Sequence, residues 1–393
     1  MTKITDIPAI RFKGFSDTWE QRKLCDVVKE ITRNDPESEA PIMMITANNG
    51  FIEQSERYAF NNAGESLKKY ILLKKGELAY NHGASKLRPY GSCFALTTAE
   101  NARIPFVYHC FSAENQNAEF MSIELNGAEI ENQLRKIVSS GARMDGLLNI
   151  SFDEYTSVSV LLPSTEEQDC IADFFRQLDN LITLHQLKYD KLTNVKKSML
   201  EKMFPQNGSN VPEIRFKGFT EAWEQRKVRE VTDRYDNLRI PVAASLRVAG
   251  TTPYYGANGI QDYVDGYTHD GEFILVAEDG ANDLKNYPVK CVKGRIWVNN
   301  HAHVLQGKYD CADNQFLAYA ISQADIESLL VGGGRAKLNA ETLMGIDLLL
   351  PNKAEQIRIG KYLAQLDNLI TLHQRELEKL KNLKKACLEK MFV

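Results

Sequence analysis

The chain has 393 residues, of which 43% are hydrophobic and 25% charged, with a formal net charge of −4. This composition is typical of a soluble protein of two or more domains and excludes a uniformly basic nucleic-acid binder, so any DNA-binding surface must be local. No apolar run approaches the roughly 18 residues of a membrane span, and the opening stretch MTKITDIPAIRFKG has no apolar signal core. Seven scattered cysteines, none spaced C-x-x-C, predict a reducing, cytoplasmic location.

The first element in chain order is a short box that occurs twice. Residues 8–23 read PAIRFKGFSDTWEQRK and residues 212–227 read PEIRFKGFTEAWEQRK. A second repeat shares the strings QLDNLITLHQ, at 177–186 and 365–374, and LEKMF. The order is therefore box, middle, helical tail, and the same three again. It predicts a domain over 1–163, a helical segment over 164–204, a linker over 205–211, a domain over 212–351 and a helical segment over 352–393.

The first middle segment mixes short strand-like and helical stretches. Residues 157–163, SVSVLLP, predict a final strand, and residues 128–138, AEIENQLRKIV, predict a helix. Between them lies a glycine-rich loop, SSGARMDG, whose arginine could contact phosphate or a guanine edge. Each polar loop residue, taken singly, more commonly just faces water. The candidate DNA contacts in this half are Asn48, Asn49, Lys86, Arg88, Tyr90 and Arg143.

The two helical segments carry apolar residues in a heptad pattern. Such a narrow seam needs a partner, and the second copy is the obvious one. Because the linker over 205–211 is short, the two helices are predicted to run antiparallel. Histidines on the seam are interpreted as packed side chains rather than metal ligands or catalytic groups. The residues assigned to these helices as a subunit-docking region are Leu178, Ile182, His185, Leu366, Ile370 and His373.

The second middle segment differs from the first outside the repeated boxes. Residues 273–281, 295–305 and 345–351 predict strands, and residues 317–330 predict a helix. A glycine-rich basic loop, GGGRAKL, again lies between the helix and the final strand. Its recurrence strengthens the hypothesis of a DNA-contacting loop in each half. The candidate contacts here are Tyr255, Asn258, Asn282, Lys285, Arg335 and Lys337.

No motif for catalysis is visible along the chain. There is no G-x-x-x-x-G-K-[ST] phosphate loop, H-E-x-x-H metal motif, nucleophile elbow or N-P-P-Y-type base pocket. The string VAED at 276–279 has carboxylates after a strand, as metal nucleases do, but the sequence places no partnering lysine. The chain is therefore predicted to be no enzyme, with no metal or cofactor of its own.

The repeated box, the two E-Q-containing helical tails and the string YYGANGIQDYVDGY together resemble the DNA-specificity (S) subunit of type I restriction–modification systems. The resemblance implies an α+β fold: two mixed α/β target-recognition domains separated by a pair of long antiparallel coiled-coil helices, with a pseudo-two-fold internal repeat. It implies that each domain reads one half of an asymmetric bipartite DNA site, and that the helices fix the spacer.

The resemblance also implies partners. The helices would dock two modification (methyltransferase) subunits, and a restriction (motor-nuclease) subunit would complete the complex. S-adenosylmethionine, ATP and Mg would then belong to those partners. Two alternatives stay open at this point: a non-catalytic paired-domain scaffold that binds protein, and an orphan nuclease with a degenerate motif.

Overall fold

The computed structural model describes residues 7–47, 50–57, 64–138, 147–206, 208–332 and 336–392. The chain divides into two compact units: Met1–Leu184 with Leu377–Val393, and His185–Glu376. Both boundaries fall inside long helices, so each unit contains part of each long helix.

The first unit is built on antiparallel strands. Four of them form a sheet in the order β2-β9-β6-β7, and the pairs β1-β10, β3-β4 and β5-β8 are separate two-stranded sheets. The strands are β1 (Glu20–Lys23), β2 (Val28–Glu30), β3 (Met43–Thr46), β4 (Gly50–Glu53), β5 (Ile71–Lys74), β6 (Leu78–Asn81), β7 (Ser92–Ala95), β8 (Asn101–Ile104), β9 (His109–Ala113) and β10 (Ser159–Leu162). The helices are α1 (Gln54–Arg57), α2 (Ala118–Glu124), α3 (Ala128–Ile137), α4 (Phe152–Thr156) and, as far as Leu184, the long α5 (Thr165–Met203). Trp19, Phe111, Phe120 and Tyr155 are buried in the main apolar cluster of this unit.

The second unit has one six-stranded sheet, in the order β12-β17-β15-β16-β13-β14, and a separate pair β11-β18. The β13-β16 pairing is parallel and the others are antiparallel. The strands are β11 (Glu224–Lys227), β12 (Thr232–Arg234), β13 (Ala249–Gly256), β14 (Gly259–Val264), β15 (His269–Ala277), β16 (Val289–Val298), β17 (Ala302–Gly307) and β18 (Asp347–Leu350). The helices are α6 (Val228–Val231), α7 (Asn314–Ser322), α8 (Ala340–Gly345) and, as far as Glu376, the long α9 (Lys353–Lys390).

Two of the predicted elements of this unit are wrong in extent. The strand predicted over 295–305 is two strands, β16 and β17, separated by a turn in which the side chain of Asn299 accepts a hydrogen bond from the backbone of His301 at 2.8 Å. Asparagine is favoured in turns because its short amide can bond to nearby backbone in this way. The helix predicted over 317–330 is α7, which ends at Ser322, followed by a 3-10 turn at Glu327–Leu329.

The two units repeat one framework. Strand β1 pairs with β10 in the register Glu20↔Leu162, and β11 pairs with β18 in the register Glu224↔Leu350, so the repeated EQRK and LLP segments meet in the same way. The sheet order β2-β9-β6-β7 corresponds to β12-β17-β15-β16. The α+β fold class with an internal repeat is confirmed.

The repeated IRFKGF box ties two long helices together in each unit. In the first unit, Arg11 donates to both carboxylate oxygens of Glu167 near the start of α5, at 2.8 and 2.6 Å, and the backbone N–H of Ile10 donates to the carbonyl of Lys390 at the end of α9, at 2.9 Å. In the second unit, Arg215 bonds Glu355 near the start of α9, at 2.7 Å twice, and the N–H of Ile214 donates to the carbonyl of Lys202 near the end of α5, at 2.8 Å. The box therefore has a structural role: it bonds the start of one long helix to the end of the other.

Within each unit the long helices pair antiparallel, as predicted. In the first unit, Asp179 in the first half of α5 pairs with Lys384 near the end of α9, at 2.6 Å. In the second unit, Lys196 near the end of α5 pairs with Asp367 in the first half of α9, at 2.5 Å.

Candidate nucleic-acid interface

In both units, the residues that flank the glycine-rich loop are attached directly after a central strand of the sheet. In the second unit, Val331 and Lys337 exchange backbone hydrogen bonds at 3.0 and 2.9 Å, and the N–H of Leu338 donates to the carbonyl of Glu278, just after β15, at 2.8 Å. In the first unit, the N–H of Leu148 donates to the carbonyl of His82, just after β6, at 2.9 Å. The candidates Arg143 and Arg335 themselves lie outside the described residues.

A network of ion pairs holds the loop base of the second unit. Lys337 Nζ lies 2.8 Å from Glu278 Oε1, and Arg239 Nη1 lies 2.7 Å from Glu278 Oε2. Burial opposes ionisation of Glu278, but the hydrogen bonds from Lys337 and Arg239 outweigh it, and the pKa of the carboxyl is lowered. The same hydrogen bond raises the pKa of Lys337. The lysine that the sequence did not place beside VAED is thus Lys337.

The network continues to a second carboxylate. His303 Nδ1 lies 2.8 Å from Asp236 Oδ2, and His303 Nε2 lies 2.9 Å from the carbonyl oxygen of Leu338, the residue that follows Lys337. Burial opposes ionisation of Asp236, but hydrogen bonds from His303 and from the backbone of Val304 prevail, so its pKa is lowered.

The first unit holds the corresponding loop base with an imidazole. His82 is buried, with Nδ1 2.8 Å from the carbonyl oxygen of Leu148 and Nε2 2.6 Å from that of Val107. Its ring stacks on that of His109, with centroids 5.2 Å apart. Burial lowers the pKa of His109, and the neighbouring His82 lowers it further, against a hydrogen bond to the carbonyl of Ile150 that raises it. The two units thus support equivalent loops with different chemistry.

The sequence-predicted residues of the first unit do not form one patch of free side chains. Lys86 is exposed, whereas the Arg88 guanidinium donates to the carbonyl of Asn126 at 2.7 Å. The ring of Tyr90 is partly buried, with the Arg135 guanidinium 5.8 Å from its centroid. Arg88 and Tyr90 therefore shape the loop that presents Lys86. The candidates Asn48 and Asn49 lie outside the described residues.

The candidates of the second unit divide into supports and exposed residues. Tyr255 is buried on β13, and burial raises the pKa of its hydroxyl. Asn258 donates to the carbonyl of Gly280 at 2.9 Å and accepts from the N–H of Asn282 at 3.0 Å, which joins the β13–β14 turn to the 280–286 loop. The side chains of Asn282 and Lys285 are exposed on that loop. Asn258 thus positions the loop that carries the other two, whereas Tyr255 packs in the apolar core of the sheet.

Sequence reasoning missed two amides beside these loops. Asn299 is buried in the β16–β17 turn, and Gln261 is exposed at the start of β14; Asn299 Nδ2 lies 3.4 Å from Gln261 Oε1. The signal was the asparagine doublet at 299–300 between two apolar runs, which is typical of a turn.

The predicted docking residues are buried or partly buried. Leu178 and Leu366 are buried, and Nδ1 of His185 lies 3.2 Å from Nδ1 of His373. Other leucines of the repeated QLDNLITLHQ string are exposed. They are Leu181 at 45%, Leu184 at 45%, Leu369 at 44% and Leu372 at 51% exposure.

Within the described ranges, no cluster of three or more histidine, cysteine, aspartate or glutamate side chains is arranged to hold a metal ion. Among the described helices, none is both long and apolar enough to cross a membrane.

Residues 220–382 match the family described as the type I restriction modification DNA specificity domain. This similarity covers less than half of the chain, and it agrees with the resemblance inferred from the repeated boxes. The matched region contains the sheet of the second unit, its glycine-rich loop and most of α9.

Two relatives are named as specificity subunits, and a solved structure has a similar fold. The chain is 44% identical over 146 residues to a protein named as a type I restriction enzyme specificity subunit in Haemophilus influenzae, which covers 37% of this chain and 38% of the relative. It is 24% identical over 285 residues to a type I restriction enzyme specificity subunit of Methanocaldococcus jannaschii, covering 63% of this chain and 64% of the relative. Both matches therefore span less than two thirds of the relatives' own lengths.

The fold is similar to the crystal structure of a type I restriction–modification system S subunit from M. genitalium. The TM-score is 0.62 at 14% identity, over 98% of this chain and 99% of that one. At that identity the likeness supports the fold alone.

Proposed function

We propose that the chain is the sequence-specific DNA-binding subunit of a type I restriction–modification complex. The observation that carries the proposal is that the region over 220–382, which matches the specificity-domain family, has a counterpart in the first unit. The two regions share the same strand register and the same arginine–glutamate ion pair. Two reading domains on one chain suit a bipartite site, as in other two-module DNA readers. Because their loop bases differ, His82 in one and Glu278 with Lys337 in the other, the two half-sites are expected to differ.

The chain is proposed to act without chemistry of its own. Both oxygens of Glu278 are engaged by Lys337 and Arg239, an arrangement that supports an ion-pair network over a divalent-cation site. Methylation and cleavage would then belong to modification and motor-nuclease subunits, which would bring S-adenosylmethionine, ATP and Mg. The purified chain is expected neither to methylate nor to cut DNA, and turnover that survives removal of partner subunits would contradict this.

The exposed leucines of the long helices are the proposed docking surface for two modification subunits. Leu181 and Leu184 recur as Leu369 and Leu372, so each helix offers the same apolar pair. Contiguous exposed apolar side chains are typical of protein-binding surfaces. The seam residues, such as Leu178, would hold the helices together instead of contacting a partner.

A domain exchange tests the reading function. Residues 24–162 are replaced by the middle segment of another specificity subunit, and methylated adenines are mapped in cells that carry the partner subunits. We expect one half-site to change and the other to stay, and the matched exchange of residues 228–350 to change the opposite half. A change at both halves after a single exchange would refute the two-module proposal.

Salt dependence separates DNA reading from a protein-binding scaffold. Phosphate contacts release counterions, so log affinity falls linearly with log salt, at about 0.9 per contacted phosphate. We expect the full chain to bind duplex DNA with such a slope. Salt-independent or absent binding, in the presence of modification subunits, would favour the scaffold.

Paired substitutions of leucine by glutamate test the docking surface. Leu181→Glu with Leu184→Glu, and separately Leu369→Glu with Leu372→Glu, should each reduce the number of modification subunits bound from two to one, as measured by light scattering. Leu246→Glu, at an exposed site away from the long helices, is the control. Full assembly with either paired variant would exclude these leucines.

A further inference from the structure

Four polar residues form a continuous row in the second unit, beyond the end of β15. Asn299 Nδ2 donates to Gln261 Oε1 at 3.4 Å, the backbone N–H of His301 donates to Asn299 Oδ1 at 2.8 Å, and His301 Nδ1 lies 2.7 Å from Asp279 Oδ1. The backbone of Asp279 forms an antiparallel β-bridge with that of Lys337 at the loop base. The row therefore runs from β14 to the base of the glycine-rich loop.

Asn299 is the fixed member of this row. Its side chain is 4% exposed, and its backbone N–H donates to the carbonyl of Tyr255 at 3.1 Å. Because Oδ1 of Asn299 accepts from His301, its Nδ2 is the atom that faces Gln261. A donor in that place fixes which end of the Gln261 amide turns inward: the oxygen.

Gly256 provides the space in which the Gln261 amide lies. A Cβ at position 256 would stand 2.3 Å from Gln261 Nε2 and 2.7 Å from its Cδ. Gly256 does not have a positive φ, so space and not backbone conformation requires the glycine. The amide of Gln261 is thus oriented by the buried Asn299 donor on one side and packs against Gly256 on the other.

We propose that Gln261 reads an adenine edge in the half-site bound by the second unit, with Asn299 and Gly256 as positioning residues. The inference rests on the proposed DNA-binding function. Adenine presents an N7 acceptor and an N6 donor in the major groove, and a glutamine amide complements both at once. Nε2 would donate to N7, and the remaining lone pair of Oε1 would accept from N6. An exposed glutamine held in one orientation loses little freedom on making these bonds.

The test measures binding of the full chain to its mapped site and to duplexes with each base pair substituted in turn. Gln261→Ala should reduce discrimination at one adenine of one half-site by about 5- to 150-fold, with the salt slope and the other half-site unchanged. Gln323→Ala, an exposed amide at the end of α7, is the matched control. Unaltered discrimination at every position in Gln261→Ala would overturn the proposal.

A double-variant cycle tests the positioning role of Asn299. Asn299→Asp replaces the donor with an acceptor, so the Gln261 amide should turn over and the preference at the same base pair should change. Adding Asn299→Asp to Gln261→Ala should have no further effect on discrimination. Additive losses spread over all sequences, with a lowered melting temperature, would assign Asn299 a merely structural role and contradict the inference. If the wild-type chain itself shows no sequence preference, the proposed function fails rather than this residue assignment.

Discussion

Arg11 and Glu167 form a bidentate ion pair between residues 156 positions apart in the sequence, with both side chains almost fully buried. Arg215 and Glu355 repeat it 140 positions apart. The pair explains why IRFKGF and the E-Q dipeptide recur together. The neighbouring glutamines add to this, since Gln168 accepts from the N–H of Asn117 at 3.0 Å and Gln356 accepts from the N–H of Asp313 at 3.1 Å, each at the start of a helix.

Removing one partner of this pair should be costly in one unit only. Arg11→Ala leaves the buried Glu167 carboxylate unpaired, and the expected loss of unfolding free energy in the first unit is about 3–5 kcal/mol. The double change Arg11→Met with Glu167→Gln should recover most of it, because no buried charge remains. Hydrogen exchange read separately on peptides of each unit measures this, with Arg22→Ala, at a partly exposed position on β1, as control. Equal destabilisation by the single and double variants would contradict the buried-charge explanation.

The long helices and the final strand of each half could be predicted from the sequence because their patterns are local and repeated. Heptad spacing predicts the long helices, and the final strand of each half follows from its apolar run. The strand predicted over 295–305 failed because apolar residues continue on both sides of the turn, and hydrophobicity alone cannot show a reversal. The helix predicted over 317–330 was too long because its apolar residues continue beyond Ser322 into the 3-10 turn.

The candidate DNA-contacting residues were harder to predict from the sequence, because the role of a polar side chain depends on partners that are distant in the sequence. Arg88 has the composition of a DNA contact, yet its guanidinium bonds a carbonyl 38 positions away. The side-chain amide of Asn258 likewise makes hydrogen bonds to the backbone of residues 280 and 282. Neither carbonyl is marked by its residue type, so no spacing rule could have found these bonds. Gln261 and Asn299 were missed for the converse reason, since their pairing joins strand β14 to the β16–β17 turn, 38 positions away.

Glu124 should make the first unit less stable at high pH. Burial raises the pKa of this carboxyl from 4.5 to about 7, with a contribution from Glu129, against a hydrogen bond from the N–H of Leu161. A raised folded pKa means that the associated stability is fully present below about 4.5 and is lost as pH rises through about 7. Glu124→Gln keeps an acceptor for Leu161 and removes the charge. We therefore expect a gain of about 1–3 kcal/mol in unfolding free energy at pH 8, and none at pH 4.

Urea denaturation of the first unit at the two pH values checks this expectation. Glu39→Gln, at an exposed position, is the matched control and should change neither value. A gain of the same size at both pH values would mean that Glu124 acts through packing instead of ionisation.

The histidine pair should make the second unit sensitive to acid. Burial lowers the pKa of His373, and the nearby His185 and Lys188 lower it further. A base with a lowered folded pKa contributes stability above its ordinary pKa of 6.5, and that stability is lost as pH falls through the folded value. The protection of α9 residues 366–376 against hydrogen exchange, corrected for the intrinsic exchange rate at each pH, should therefore fall between pH 7.5 and 5.5. His185→Leu combined with His373→Leu should remove this loss of protection, and an unchanged loss in that variant would locate the acid sensitivity elsewhere.

The proposed spacer role of the long helices predicts the effect of lengthening both. One heptad inserted after Gln186 and one after Gln374 preserves the seam, because the apolar pattern repeats every seven residues. At about 1.5 Å per residue, each helix gains about 10 Å. With roughly 3.4 Å per base pair, that length corresponds to about three more pairs between the half-sites.

Three base pairs also rotate one half-site by nearly a third of a turn about the duplex axis, so lengthening has a torsional cost. We therefore expect a spacer longer by about one to three pairs, weaker binding and unchanged half-sites. Methylation mapping in cells with the partner subunits measures all three. A matched insertion of the same seven residues into only one helix breaks the pairing of the seam and should abolish activity. An active two-heptad variant that still methylates the original site, with its original spacer, would refute the proposal that the helices set the spacing.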